Sequence, residues 1–179
     1  MPNNFLITGR PGSGKTSVIE GAVELLRGRG FKPGGVYCPE IRERGARLGF
    51  KMIDLMTGEE RTLAHVNQPV GPQVSKYRVN VENVDAISEL AIGRALREAD
   101  FTVIDEIAPM EIHSDGFRRA VLAALDSSKP LLAVIHQRTT MGFIGEVKRR
   151  ADIRLFEVTP SSRERLSTQL VELVKEVLS

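Results

Sequence analysis

Eight residues near the N-terminus, Gly9-Arg10-Pro11-Gly12-Ser13-Gly14-Lys15-Thr16, constrain the fold of this chain more than any other feature. They follow the apolar run at 5–8. They precede a stretch in which Val18, Ile19, Ala22, Val23, Leu25 and Leu26 recur with helical spacing. A buried strand, a glycine-rich turn and an amphipathic helix are thus expected in immediate succession. The spacing G-x-x-x-x-G-K-[ST] arises by accident in about one chain in a hundred of this length at average glycine usage, and the strand-before, helix-after context makes accident rarer still.

Each residue type in the loop has a chemical reason. Gly12 and Gly14 let the backbone turn its N–H groups inward with no side chain in the way. The helix that follows adds the positive end of its dipole. Lys15 can reach β- and γ-phosphates, and the Thr16 hydroxyl suits Mg²⁺. The stretch therefore implies a bound nucleoside triphosphate with Mg²⁺ as cofactor.

Three further apolar runs, at 101–104, 131–135 and 153–158, are bounded by turn-forming or charged residues, as strands of a mostly parallel sheet are. Helical faces lie between and after them: Ile87, Leu90, Ala91, Ala95 and Leu96; Phe117, Ala120, Val121, Ala124 and Leu125; Leu166, Leu170, Leu173, Val174 and Val177. Ser161 and Glu164 have the spacing of a capping box at the start of the last helix. The alternation predicts an α/β fold with right-handed crossovers, a single P-loop domain over 1–179. Residues 34–84 read differently. Turn signals at Arg44-Gly45 and Thr57-Gly58-Glu59 predict short antiparallel strands inserted after the first helix, with a further strand at 77–81.

The run at 101–104 ends in Asp105 and Glu106. A carboxylate there sits at the carboxyl edge of the sheet, where open α/β sheets bind ligands. Asp105 is expected to hold Mg²⁺ with Thr16, and Glu106 to act as general base toward a water facing the γ-phosphate. Signalling GTPases are excluded: position 108 is Ala, not Gly, and no N-K-x-D occurs. Phosphotransferases acting on a nucleoside, nucleotide or polynucleotide end stay open as the alternative, as does a nucleotide-driven switch subunit.

Composition excludes little else. Net charge is +2, and the basic groups (Arg42, Arg44 and Arg47; Arg118 and Arg119; Lys148, Arg149 and Arg150) do not require nucleic acid. Cys38 is the only cysteine, which fits a reducing cytoplasm. No run approaches the ~20 apolar residues of a membrane span, and the N-terminus lacks the pattern of a signal peptide. His65, His113 and His136 lack zinc-ligand spacing. Glu111 either lines the site or is a surface carboxylate. His136 either senses the γ-phosphate or closes its strand structurally. Arg42, Arg44, Arg47 and Arg138 are candidates for an arginine finger, in cis or from a neighbour. Nothing in the sequence settles oligomeric state or a protein partner.

The segments 9–16, "GGVYCPEIRERGARLGFKMIDLMTGE", "DEIAPME" and "RLFEVTPSSRERL" together resemble the small P-loop nucleoside-triphosphatases of thermophilic bacteria and archaea, a family with a cancer-related vertebrate member. The resemblance spans nearly the whole chain. It implies a RecA-like fold and hydrolysis of ATP, GTP and other triphosphates with little base preference, Mg²⁺ being the metal. It places nucleotide contacts on 9–16 and on 101–108: Phe101, Thr102, Val103, Ile104, Asp105, Glu106, Ile107 and Ala108. Ala108-Pro109 stands where that family often has Gly-Lys, and Cys38-Pro39 where more polar residues are expected.

Overall fold

The computed structural model describes residues 2–179. The first half contains β1 (Asn4–Thr8), α1 (Lys15–Gly28), β2 (Pro33–Tyr37), β3 (Glu40–Glu43), β4 (Ala46–Asp54), β5 (Glu60–His65), β6 (Gln73–Val74), β7 (Tyr77–Val79) and α2 (Val81–Glu98). The second contains β8 (Phe101–Ile107), a 3-10 turn (Glu111–His113), α3 (Asp115–Asp126), β9 (Leu131–Ile135), α4 (Gly142–Lys148), β10 (Ile153–Glu157) and α5 (Arg163–Leu178).

All the strands join one sheet in the order β10-β1-β9-β8-β2-β4-β5-β7-β6, with β3 paired to β4. The five strands from β10 to β2 are mutually parallel, and antiparallel pairing starts where β4 meets β2. Side chains alternate between the faces of a strand, and both faces of β1, β8 and β9 are covered. Phe5, Ile7, Phe101, Val103, Leu132 and Val134 pack under Val18, Ile19 and Leu26 of α1 and Leu166, Leu170 and Val174 of α5. Leu6, Ile104, Ala133 and Ile135 pack against Ile87 and Ala91 of α2, Phe117 and Val121 of α3, and Ile144 and Val147 of α4. Burial on both faces is why β1, β8 and β9 read as continuous apolar runs, whereas the run at 153–158 forms the edge strand β10, which is largely open to solvent.

Five details differ from the sequence expectation. The segment 33–37 is not part of the antiparallel insertion; β2 is a core strand, paired in parallel with β8. Its signal was masked by Pro33, Gly34 and Gly35, and both glycines are required by packing. A Cβ at Gly34 would lie 2.7 Å from the Cβ of Ala95, and Gly35, at φ 118°, would drive one into the Val103 carbonyl. The strand expected at 77–81 stops at Val79, because Asn80 caps α2 by accepting from the Asn83 N–H at 3.0 Å. The capping box at Ser161 is not formed. Ser162 precedes α5 and makes no side-chain cap; its Oγ accepts instead from the Thr159 N–H. Leu25 and Leu90 are 45% and 46% exposed, beside the buried stripes of their helices and not on them. The short helix α4 carried no periodicity long enough to predict it.

The insertion builds one wing of the sheet. Its β3–β4 hairpin turns at Arg44 and Gly45, both with positive φ, the backbone that two-residue hairpins require. Arg47 stacks over Phe50 and Tyr77 and donates to the Tyr77 hydroxyl and Glu40, which ties the wing together.

Candidate functional site

Three parallel strands deliver their carboxyl ends to one edge of the sheet. β1 runs into the glycine loop, β8 carries Asp105 and Glu106 just before its last residue, Ile107, and β9 is followed by His136. β9 lies between the other two, so loop and acidic strand end are not on neighbouring strands. They meet nonetheless: the Thr16 hydroxyl donates to Asp105 Oδ2 at 3.0 Å.

The loop is held by its glycines. A Cβ at Gly9 would come within 2.7 Å of Ser13 Oγ and 2.9 Å of the Val158 carbonyl. Gly12 and Gly14 have φ of 78° and 98°, a backbone that other residues adopt at a cost. The Ser13 N–H closes the turn onto the Arg10 carbonyl at 3.0 Å. Ser13 Oγ is buried without a protein partner, a donor ready for an anion in the cradle.

Next to the loop is a cleft of about 530 Å³. Thr16, Glu40, Asp105, Glu106, Glu111 and His136 line its polar side, and Cys38, Pro39, Phe50, Leu63, Val74, Ala108, Pro109 and Met110 its apolar side. The two unusual dipeptides of the sequence, Cys38-Pro39 and Ala108-Pro109, thus face the same space. The ladder from β8 to β9 skips Glu106, with Asp105 opposite Val134 and Ile107 opposite Ile135. Glu106 Oε2 is buried with no protein partner.

The electrostatics follow from this crowding of acids. Burial pushes the Asp105 carboxyl up to about 6, against the pull of the Thr16 hydroxyl. Burial also raises Glu106, with Lys15 opposing. Glu111, 3% exposed, is raised well above the usual carboxylate range by burial and by Glu106. The Cys38 thiol is pushed up by burial and then by Glu111, so it is no reactive thiolate. His136 is lowered by burial and by Lys15, and its Nδ1 lies 2.8 Å from the Thr139 hydroxyl.

Not every expected contact reaches the cleft. Phe101, Thr102, Val103 and Ile104 are at most 2% exposed inside the sheet, and Ile107 faces the core. From β8 and its turn, the cleft is reached by Asp105, Glu106, Ala108, Pro109 and Met110. Among the arginines, Arg42 and Arg47 are committed to Glu40 at the rim. The basic run at 148–150 is structural: Lys148 holds the Gln137 and Thr139 carbonyls, Arg149 the Thr140 carbonyl, and Arg150 pairs with Asp126 and Asp152. Glu111 lines the cleft, the first of its two sequence readings; the apolar wall from the insertion had no local signal, because Phe50, Leu63 and Val74 belong to β4, β5 and β6 and meet only in the folded sheet.

The donor set fits Mg²⁺. Mg²⁺ takes hard oxygen ligands and commonly relies on one or two protein groups plus substrate phosphates. Thr16 and Asp105 are such a pair, and no cluster of three or more metal-ligating side chains exists among the described residues.

A glycine cradle opening a helix, joined by a hydroxyl–carboxylate bond to an acidic strand end of a doubly covered sheet, defines a P-loop nucleotide-binding protein. The family model described as NTPase matches residues 4–171. The nucleoside-triphosphatase THEP1 of Thermofilum pendens is 48% identical over 177 residues, covering 98% of this chain and 97% of that one, and the THEP1 of Methanopyrus kandleri is 40% identical over 179 residues. The crystal structure of THEP1 from Aquifex aeolicus superposes with a TM-score of 0.83 at 28% identity, over 96% of this chain and 99% of that one. The solution structure of a human cancer-related nucleoside triphosphatase does so with 0.78 at 28% identity, over 97% and 98%. The chain belongs to this NTPase family, whose chemistry is hydrolysis of nucleoside triphosphates.

Proposed function

We propose that this chain hydrolyses ATP, GTP and other nucleoside triphosphates to the diphosphate and phosphate, with Mg²⁺ as cofactor and residues 9–16, Asp105 and Glu106 as the machinery. The single observation that carries the assignment is the Thr16–Asp105 hydrogen bond, which sets the acidic strand end beside the loop. Lys15 neutralises charge developing on the terminal phosphate, and the loop N–H groups hold the phosphates in line. Glu106 orients the attacking water and accepts its proton. Mg²⁺, when bound to Thr16 and Asp105, would supply further charge neutralisation on the phosphate oxygens. His136 is a candidate sensor of the γ-phosphate.

The cleft favours hydrolysis over phosphotransfer to a nucleotide or nucleic-acid end. Such an acceptor carries phosphate and needs cations around it, yet no Lys or Arg lines the cleft beside Glu106. No helix of the described residues is long and apolar enough to cross a membrane. A cytoplasmic setting is supported by the unpaired Cys38. The test is phosphate release from each nucleoside triphosphate, with and without Mg²⁺, in wild type and Lys15→Ala. Release that needs both Mg²⁺ and Lys15 is expected; equal release from the Lys15→Ala protein would overturn the assignment.

A further inference from the structure

A second cavity, of about 320 Å³, lies on the other flank of the glycine loop, between the first turn of α1 and the start of α5. That volume is within the range of small-molecule sites. Its lining includes Ser17, Val18, Pro160, Arg163, Glu164 and Ser167. Thr16, which lines the acidic cleft, and Ser17, which lines this cavity, are consecutive on α1 and so point about 100° apart around its axis. The two spaces therefore flank the same turn of helix. A triphosphate gripped across that turn with its γ end at Asp105 and Glu106, as proposed above, would direct its other end here.

The Arg163 side chain lies across the loop. Its Cδ would collide with a Cβ at Gly14, and its Nη1 would stand 3.1 Å from that Cβ. Gly14 is favoured by its backbone angle of φ 98°, and its missing side chain leaves room for Arg163 to pass over the loop. Among the described residues Arg163 has no carboxylate partner. The floor is rigid, because Ser167 donates to the Val18 carbonyl at 3.0 Å and the two helices touch at Gly21. The polar groups around it are exposed: Ser17, Arg163 and Glu164 all reach solvent.

We propose that this cavity is the nucleoside subsite and that the guanidinium plane of Arg163 stacks on the base. A planar cation stacked on a π-face tolerates every base. No buried donor–acceptor pair is present there to read a base edge, so the arrangement accounts for low base selectivity. The proposal rests on residues 9–16 holding the triphosphate.

Inorganic tripolyphosphate separates the two claims, since it carries the phosphates without a base. In Arg163→Ala, the Kd for Mg-ATP is expected to rise roughly tenfold, from the usual worth of one stacked base. The Kd for tripolyphosphate stays unchanged, and the loss is similar for ATP, GTP, CTP and UTP. Arg163→Tyr, which keeps a flat face without the charge, restores ATP affinity to within about threefold of wild type. An equal loss for ATP and tripolyphosphate would make Arg163 a phosphate ligand, and no loss would leave it a surface residue; either overturns the subsite. A tyrosine variant as weak as alanine overturns the stacking. Lys15→Ala tests the underlying assignment separately, because it weakens ATP and tripolyphosphate alike if the loop holds the phosphates.

Discussion

Replacing Asp105 by Asn should make the metal-free protein more stable, not less. The carboxyl is 8% exposed, and burial raises it from 3.8 in the unfolded chain to about 6 in the fold. A raised acid disfavours the folded state once it ionises. The penalty is absent below pH 3.8, grows between about 4 and 6, and is complete above 6. Two pKa units correspond to about 3 kcal/mol at 1.36 kcal/mol each. Asparagine is neutral at every pH and keeps an acceptor for the Thr16 hydroxyl, so it escapes the penalty. For a chain of this size about 3 kcal/mol is worth roughly 6–12 °C in Tm. Calorimetry in chelator at pH 4 and pH 7.5 is the assay: the two proteins should melt together at the lower pH and separate by that margin at the higher. Mg²⁺ with a nonhydrolysable triphosphate should then raise the wild type and leave Asp105→Asn behind. A variant that melts with or below wild type in chelator at pH 7.5 would refute the reasoning that a buried charge is held there for the metal.

The other predictions are simpler. Glu106→Gln should bind Mg-ATP with unchanged Kd while hydrolysis falls about 10²–10⁴-fold, the usual worth of a general base, as single-turnover phosphate release would read. The isolated protein should turn over at about 10⁻⁴ to 10⁻³ s⁻¹, the rate of P-loop hydrolases without an arginine finger, because Arg42 and Arg47 are held by Glu40. Arg138→Ala should then change kcat by less than about threefold, against the 10³-fold or more expected of a finger. Arg94→Ala should cost about 3–5 kcal/mol in denaturant unfolding, since it strands Asp54, 1% exposed, without its charge partner.

The sequence by itself determined the parts whose chemistry is local. A glycine loop needs its glycines in sequence with its lysine and hydroxyl, so residues 9–16 were legible as a phosphate cradle. The runs at 101–104 and 131–135 were legible as core strands because both their faces are buried. Asp105 and Glu106 could be placed at a strand's carboxyl end for the same reason. Tertiary structure alone decided what depends on neighbours distant in the chain. Pro33-Gly34-Gly35 looks like a turn until α2 and β8 press on it, and then only glycine fits. Glu111 has no local mark of burial; it is enclosed by the 3-10 turn over the acidic strand end. Arg163 comes to lie on Gly14 from 149 residues away because α5 packs along α1. Short-range pattern records what a residue does to its own backbone, whereas burial and juxtaposition belong to the packed sheet and its helices.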